Sequence, residues 1–435
     1  MKVGMISLGC TKNLVDSETA LGLFKDAGYV FTGDPAEADV LMVNTCGFIG
    51  PAKEESIDTI LEMAQYKQTG NCKLLVVTGC LAQRYEKALM EEIPEIDLLM
   101  GVNQYDQLVG AVDAAMKDHK RRSLCGVKNT FLEHDRVLTT PGYTAYIRIG
   151  DGCSNRCTYC AIPLIRGNYR SRPMADVMSE VRRFAAQGVK EHIMIAQDTT
   201  RYGTDWQEKS LLPELMAQAA EVPGVEWLRV LYAYPDEADD RLLEVMAAHP
   251  NICKYLDLPI QHINDDILRR MHRRGTSADV RRILDKSRAM GLTLRTSLIV
   301  GFPGETEAQF QELLDFVKEE RFDRMGAFAY SPEEDTPAAS MPDQIPEEVK
   351  QDRLDRLMTL QAQISLENNQ KRVGTVEKVL VTDAKDGFYL GRSEREAPDA
   401  DGAIVFTAKE APTVGEFVQV KLTGADTYDL KGERV

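Results

Sequence analysis

The sequence predicts an α/β protein in three parts: a parallel α/β sheet domain, a central partial (β/α)6 barrel, and a small antiparallel β-barrel. Three observations predict this. Short apolar runs alternate with helical periodicity over residues 1–117. A second alternating series of six such units begins near residue 142. From about residue 370 short strands follow one another, separated by Gly, Asp and Pro turns. Apolar strands alternating with helices imply parallel sheets covered by helices, and closely spaced strands imply a small barrel. A chain of 435 residues is also too long for a single core. The expected boundaries are 1–117, a linker at 118–138, 139–369 and 370–435.

In the first part, strands are expected at 3–8, 40–44, 74–78 and 96–100, with helices at 14–27, 52–66, 81–92 and 105–116. Cys10, Cys46 and Cys80 each stand one or two residues beyond one of the first three strands. In a parallel sheet those strand ends share one edge, where such folds build their sites. Three thiols far apart in sequence can meet there. Cys72, Cys125 and Cys253 follow no such pattern and read as incidental thiols. Residues 118–138, with His119-Lys120-Arg121-Arg122, show little periodicity and read as a linker.

In the second part, strands are expected at 143–149, 192–196, 227–232, 254–258, 293–300 and 324–330, with helices between them and a long charged helix at 345–369. Directly after the first of these strands come Cys153, Cys157 and Cys160, spaced C-x3-C-x2-C. Soft thiolates this close favour zinc or an iron–sulfur cluster. A closed zinc site or an ordinary cubane takes four protein ligands, so three leave one iron open for a ligand that is not protein. The loop lies on the carboxyl face of the expected barrel, where barrel enzymes place their sites. Gln197-Asp198 and Gln261-His262 end strands on that face. Gly301-Phe302-Pro303-Gly304-Glu305 is a glycine-rich strand-to-helix turn that suits close backbone approach. A lone histidine such as His262 reads first as a structural group. The basic run Arg269-Arg270-Met271-His272-Arg273-Arg274 reads as the exposed end of a helix.

In the third part, strands are expected at 373–381, 387–391, 403–407 and 417–422. Ten Lys/Arg against twelve Asp/Glu from residue 370 onward leave no basic excess for nucleic acid. The whole chain carries a net charge of −16, which favours basic partners over nucleic acid. At 43% hydrophobic and 28% charged, the composition is that of a soluble globular protein. No apolar run approaches the ~20 residues of a membrane span, and the first residues lack a signal peptide's apolar stretch. A cytosolic location follows as an expectation, and there cysteines serve metals or catalysis more often than disulfides.

The C-x3-C-x2-C loop resembles the signature of radical S-adenosylmethionine enzymes. Two three-cysteine sites followed by a small β-barrel resemble, more narrowly, the methylthiotransferases of that superfamily. The resemblance covers nearly the whole chain. It implies a [4Fe-4S] cluster on Cys153, Cys157 and Cys160, with S-adenosyl-L-methionine on its open iron. It implies a second [4Fe-4S] cluster on Cys10, Cys46 and Cys80, and a TRAM-like C-terminal domain for substrate recognition. Tyr159, Gln261, Gly301 and Glu305 would lie by the cosubstrate. The segments Gly9-Cys10-Thr11-Lys12-Asn13, Asn44-Thr45-Cys46-Gly47-Phe48, Leu258-Pro259-Ile260-Gln261-His262 and Ala397-Pro398-Asp399 are similar to the branch that modifies a ribosomal protein. The implied reaction adds a methylthio group to the β-carbon of an aspartate in small-subunit ribosomal protein 12. An electron donor such as flavodoxin or ferredoxin is implied as a further partner. Both clusters would face one cavity between the first two parts. Two rivals stay open here: a tRNA adenosine methylthiotransferase, and a non-enzymatic protein that binds metal or RNA.

Overall fold

In the computed structural model, which describes residues 1–126 and 130–435, the first part is a six-stranded, all-parallel sheet. Its strands run in the order Val30–Phe31, Lys2–Ser7, Val40–Thr45, Leu74–Gly79, Leu98–Met100, Arg122–Leu124. The inner strands Val40–Thr45 and Leu74–Gly79 are buried at every residue. Helices cover both faces, so these strands read as continuous apolar runs rather than alternating ones. The two outermost strands escape sequence reading because each is only two or three residues long. One of them, Arg122–Leu124, falls inside the expected linker and pairs with Leu98–Met100, so the sheet extends past residue 117. Residues 127–129 of that linker lie outside the described residues. The expected helix at 81–92 is two helices, Cys80–Arg84 and Glu86–Glu92.

The second part is an open, all-parallel partial barrel. Its strands Thr144–Arg148, Glu191–Ile195, Trp227–Val230, Tyr255–Asp257, Thr293–Val300 and Arg324–Ala329 follow one another in chain order. Two three-stranded sheets meet at a bridge between Leu228 and Ile252. Alternate side chains divide the barrel. Ala145, Ile147, Met194, Leu228, Val230 and Leu256 pack against the outer helices. Tyr146, Ile193, Ile195, Trp227, Leu231 and Tyr255 form a second cluster with Leu380 and Ala397 of the C-terminal part. A period-two strand thus serves both an outer layer and a lumen. The helix Glu347–Arg372 runs from the barrel into the third part.

The third part is a closed five-stranded barrel. Its last strand, Leu430–Arg434, is short, was not read from the sequence, and pairs parallel with Ile404–Thr407; the other pairings are antiparallel. Closure removes the free edges a small sheet would expose. Ion pairs weld this barrel to the partial barrel. Buried Glu191 takes Arg392 at 2.7 Å and Arg229 at 3.3 Å. Glu396 takes Arg372 at 2.6 Å and Arg324 at 2.7 Å.

Candidate active site

The parallel sheet brings Cys10, Cys46 and Cys80 together. They follow three adjacent strands, and their loops stack without a gap. A Cβ on Gly9 would lie 2.8 Å from the Cβ of Cys46, and one on Gly47 would lie 2.8 Å from the backbone of Leu81. Asn13 ties the loops, donating to the carbonyls of Leu8 at 3.1 Å and Thr45 at 2.9 Å. The Cys80 thiol donates to its Oδ1 at 3.5 Å. Burial pushes the Cys80 thiol up to about 12, with Cys10 and Cys46 adding to the rise and Arg166 opposing it. Cys46 and Cys80 are buried, whereas Cys10 is exposed.

The other trio, Cys153, Cys157 and Cys160, sits on the carboxyl face of the first barrel strands. Gly152 (φ 74°) lets the loop turn where a Cβ would lie 2.3 Å from the Asn168 carbonyl. The Cys160 amide donates to the Cys157 carbonyl at 3.0 Å. Cys157 Sγ lies 3.7 Å from the Tyr234 hydroxyl. Burial pushes Cys153 up to about 12 and raises Cys160, and the neighbouring thiols raise both further. Buried sulfurs that destabilise one another's charge fit a bound cation. Among the described residues, no three His, Cys, Asp or Glu side chains are set to grip a single metal ion. A four-iron cluster is wider than an ion, so ligands arranged for one need not converge as tightly. Three sulfur donors without a fourth protein ligand suit such a cluster with one open iron.

The two trios are neighbours. The helix Ile162–Arg166 starts two residues after Cys160, and Ala161 and Ile165 pack on Cys80 and Val102. Arg166, 1% exposed, donates to Asp16 at 2.8 Å, Asn13 at 2.9 Å, Asp151 at 3.1 Å and the Cys80 sulfur at 3.7 Å. Arg148 also pairs with Asp16, and Arg170 with Asp151 at 3.0 Å. Arg166 was not singled out from the sequence. Its one local signal is an arginine at the helix end, six residues after the last cysteine of the loop.

The other expected site residues divide. Tyr159 packs against the cluster of Ile267, Met271, Phe302, Tyr330 and Ala338, so the cysteine loop and the Gly301–Glu305 turn share one apolar cluster. Gln261 has left-handed backbone at φ 75°. Gly301 (φ 71°) is required by Lys350, whose Cγ would lie 2.3 Å from an added Cβ. The Glu305 carboxylate is fully engaged within the protein: it accepts from the Gly301 amide and from Arg353 at 2.9 Å, and it faces His262 Nε2 at 3.2 Å. That arrangement fastens the turn and gives His262 the structural place expected of it. Gln197 donates to Asp151 at 3.2 Å, and Asp198 accepts from Asn155 in the cysteine loop at 2.7 Å. The basic run is the exposed end of a helix at Arg269, His272 and Arg274, as expected, with one exception. Arg273 turns inward, with its guanidinium 3.8 Å from the centre of the Tyr234 ring and its charge felt by Cys157. Arg274 reaches Asn155 at 2.9 Å and Asp236 at 3.2 Å. These anionic and aromatic partners come from other elements, so sequence neighbours gave no sign of them.

A cavity of about 360 Å³ lies where all three parts meet, lined by Cys10, Tyr146, Tyr232, Asp257, Arg295 and Asp399 among others. A larger one, about 1000 Å³, lies between the barrel and the C-terminal part, is lined by Arg288, Arg324 and Arg372, and touches no cysteine.

Comparison with known proteins agrees with this layout. Residues 147–317 match the Radical SAM superfamily, residues 2–101 the Uncharacterized protein family UPF0004, and residues 373–435 the TRAM domain. The ribosomal protein uS12 methylthiotransferase RimO of Desulforamulus reducens is 51% identical, with 99% of each chain covered. The chain belongs to the RimO methylthiotransferase family. The RimO of Clostridioides difficile is 47% identical over 100% of this chain and 98% of its own. Family membership brings S-adenosylmethionine and two [4Fe-4S] clusters as cofactors. Among solved structures, the radical S-adenosylmethionine methyltransferase TsrM from Kitasatospora setae superposes with a TM-score of 0.57 at 14% identity, covering 88% of this chain and 79% of that one. At that identity the likeness speaks to the fold alone.

Proposed function

We propose that this chain transfers a methylthio group to the β-carbon of an aspartate in ribosomal protein uS12. The observation that carries the reading is that Cys80 shares one buried cluster with Ala161 and Ile165, which follow directly on Cys160. Relatives about half identical over the full chain are named ribosomal protein uS12 methylthiotransferases. Cys153, Cys157 and Cys160 would hold one cluster, and Cys10, Cys46 and Cys80 the other. When bound, one cluster would supply the electron that cleaves S-adenosylmethionine, and the other would carry the sulfur that is methylated.

The chain's own residues do the rest. Tyr159 and Phe302 offer apolar surface beside the first trio for an adenine, with Gly301 and Gln261 nearby. Buried Arg166 holds the two halves of the site in register. Cys10, exposed toward the cavity, gives substrate access to the second trio. Residues 1–117 carry the second cluster, 139–369 the radical core, and 370–435 help recognise the substrate. The acidic chain suits a basic ribosomal protein in the cytosol, with a flavodoxin or ferredoxin as electron donor. No described helix is long and apolar enough to cross a membrane.

The test is mass spectrometry of uS12 incubated with the anaerobically reconstituted enzyme, S-adenosylmethionine and a reductant. The expected result is a gain of one methylthio group on one aspartate. Thiomethylated tRNA with unmodified uS12 would overturn the substrate. Zinc at full occupancy, with no cleavage of S-adenosylmethionine, would overturn the chemistry.

A further inference from the structure

Lys12 is a buried lysine that meets no carboxylate among the described residues. It lies two residues beyond Cys10, in the first turn of the helix Thr11–Asp26, and is only 5% exposed. Among the described residues its Nζ makes no hydrogen bond and no ion pair; it sits 2.9 Å from the centre of the Tyr232 ring. An aromatic face offsets only part of the water an ammonium gives up on burial. The helix end adds to the positive field, since its first amides also point toward Cys10.

Tyr232 is itself strained. It holds φ 64°, a region costly for a bulky side chain, and such outliers gather at functional sites. Its amide donates to Asp257 at 2.9 Å, and its hydroxyl lies 3.5 Å from that of Thr11. Tyr232, Thr11 and Cys10 all line the cavity of about 360 Å³. On that wall one ion pair is already made. Asp257 takes Arg295 at 2.7 Å, and Asp399 accepts from the Tyr146 hydroxyl at 3.0 Å. Lys12, against the ring of Tyr232, meets no anion among the described residues.

We propose that Lys12 reads the side-chain carboxylate of the aspartate to be modified, and so is a specificity-determining residue. This rests on the uS12 reading above. An aspartate has its β-carbon one bond from its carboxylate. A carboxylate on Lys12 therefore holds that carbon beside Cys10, where the second trio opens to the cavity. An asparagine of the same shape lacks the charge that Lys12 needs.

The test is calorimetric binding of two synthetic peptides to the holoenzyme. One peptide carries the uS12 target loop with its aspartate, the other the same loop with asparagine. Wild type is expected to prefer the aspartate peptide by roughly 10- to 100-fold, the range of a charge-assisted hydrogen bond. Lys12→Met is expected to abolish the preference, and Lys12→Arg to keep most of it. Iron content and thermal unfolding of each variant report whether the fold survives. A Lys12→Met enzyme that retains the preference overturns the proposal, as does an equal loss in Lys12→Arg. So does weakened S-adenosylmethionine binding with the peptide preference intact, which would assign the lysine to the cosubstrate's carboxylate. If wild type modifies no uS12 aspartate, the substrate reading fails first; if it does and Lys12→Met still discriminates, only this inference falls.

Discussion

Replacing Arg166 with methionine removes the side chain that links the two cysteine trios while keeping most of its apolar length. In the native protein its guanidinium satisfies Asp16, Asp151 and Asn13 and touches the Cys80 sulfur, all at 5% exposure or less. Breaking a buried ion pair by removing one partner costs about 3–5 kcal/mol, because the other charge stays buried. Here neither carboxylate is stranded. Asp16 keeps Arg148 and Asp151 keeps Arg170. The expected loss therefore lies at the low end, about 3 kcal/mol. It should fall on the docking of the helix Thr11–Asp26 against the barrel. Native-state hydrogen exchange reads such local opening directly. Protection of that helix should drop by roughly 100-fold, while the outer barrel helices keep theirs. Arg166→Lys should lose less, since a point charge keeps one carboxylate but not the fork. Protection unchanged within roughly twofold in Arg166→Met would refute the view that this contact holds the site together.

Further predictions address the cysteines, the core and the turn. Cys80→Ala should bind one cluster fewer and form no methylthiolated product, whereas Cys157→Ala should lose cleavage of S-adenosylmethionine; iron analysis and detection of 5′-deoxyadenosine check both. Burial pushes the His192 imidazole down to about 4. The unfolded chain takes up that proton near pH 6.5, so stability is full above that value and falls as pH drops toward 4. The loss should reach about 2 kcal/mol by pH 5. It is read as a falling urea midpoint in wild type and a flatter profile in His192→Leu. Gly301→Ala should destabilise by roughly 2 kcal/mol, from positive φ plus collision with Lys350. Gly291→Ala, at φ 74° but in open space, should cost only about half of that, as thermal unfolding would report.

Much of the site was legible along the chain because its parts are local. Hydrophobic alternation marks each strand, and a cysteine just past a strand end inherits its place from the sheet. The three-part fold and both cysteine trios follow from that. Elements of two to five residues, such as Val30–Phe31, Arg122–Leu124 and Leu430–Arg434, are too short to carry a period of their own and exist because a neighbouring edge is there to pair with. The basic run at 269–274 shows the same limit in side chains. Its members look alike until Tyr234 is brought to meet Arg273, while Arg269, His272 and Arg274 stay exposed.

By itself, then, the sequence determined the layers, the order of domains and which thiols share an edge, since those depend on patterns within ten or twenty residues. Tertiary structure alone decided that Arg166 would bridge the trios, that residues 397–400 would help close the cavity, and that Lys12 would be buried with no anion beside it among the described residues. Each of those facts joins groups more than a hundred positions apart, or depends on which charges the docked domains leave unanswered. Coulomb and desolvation energies depend on final distances in a low-dielectric interior, and no local pattern encodes them.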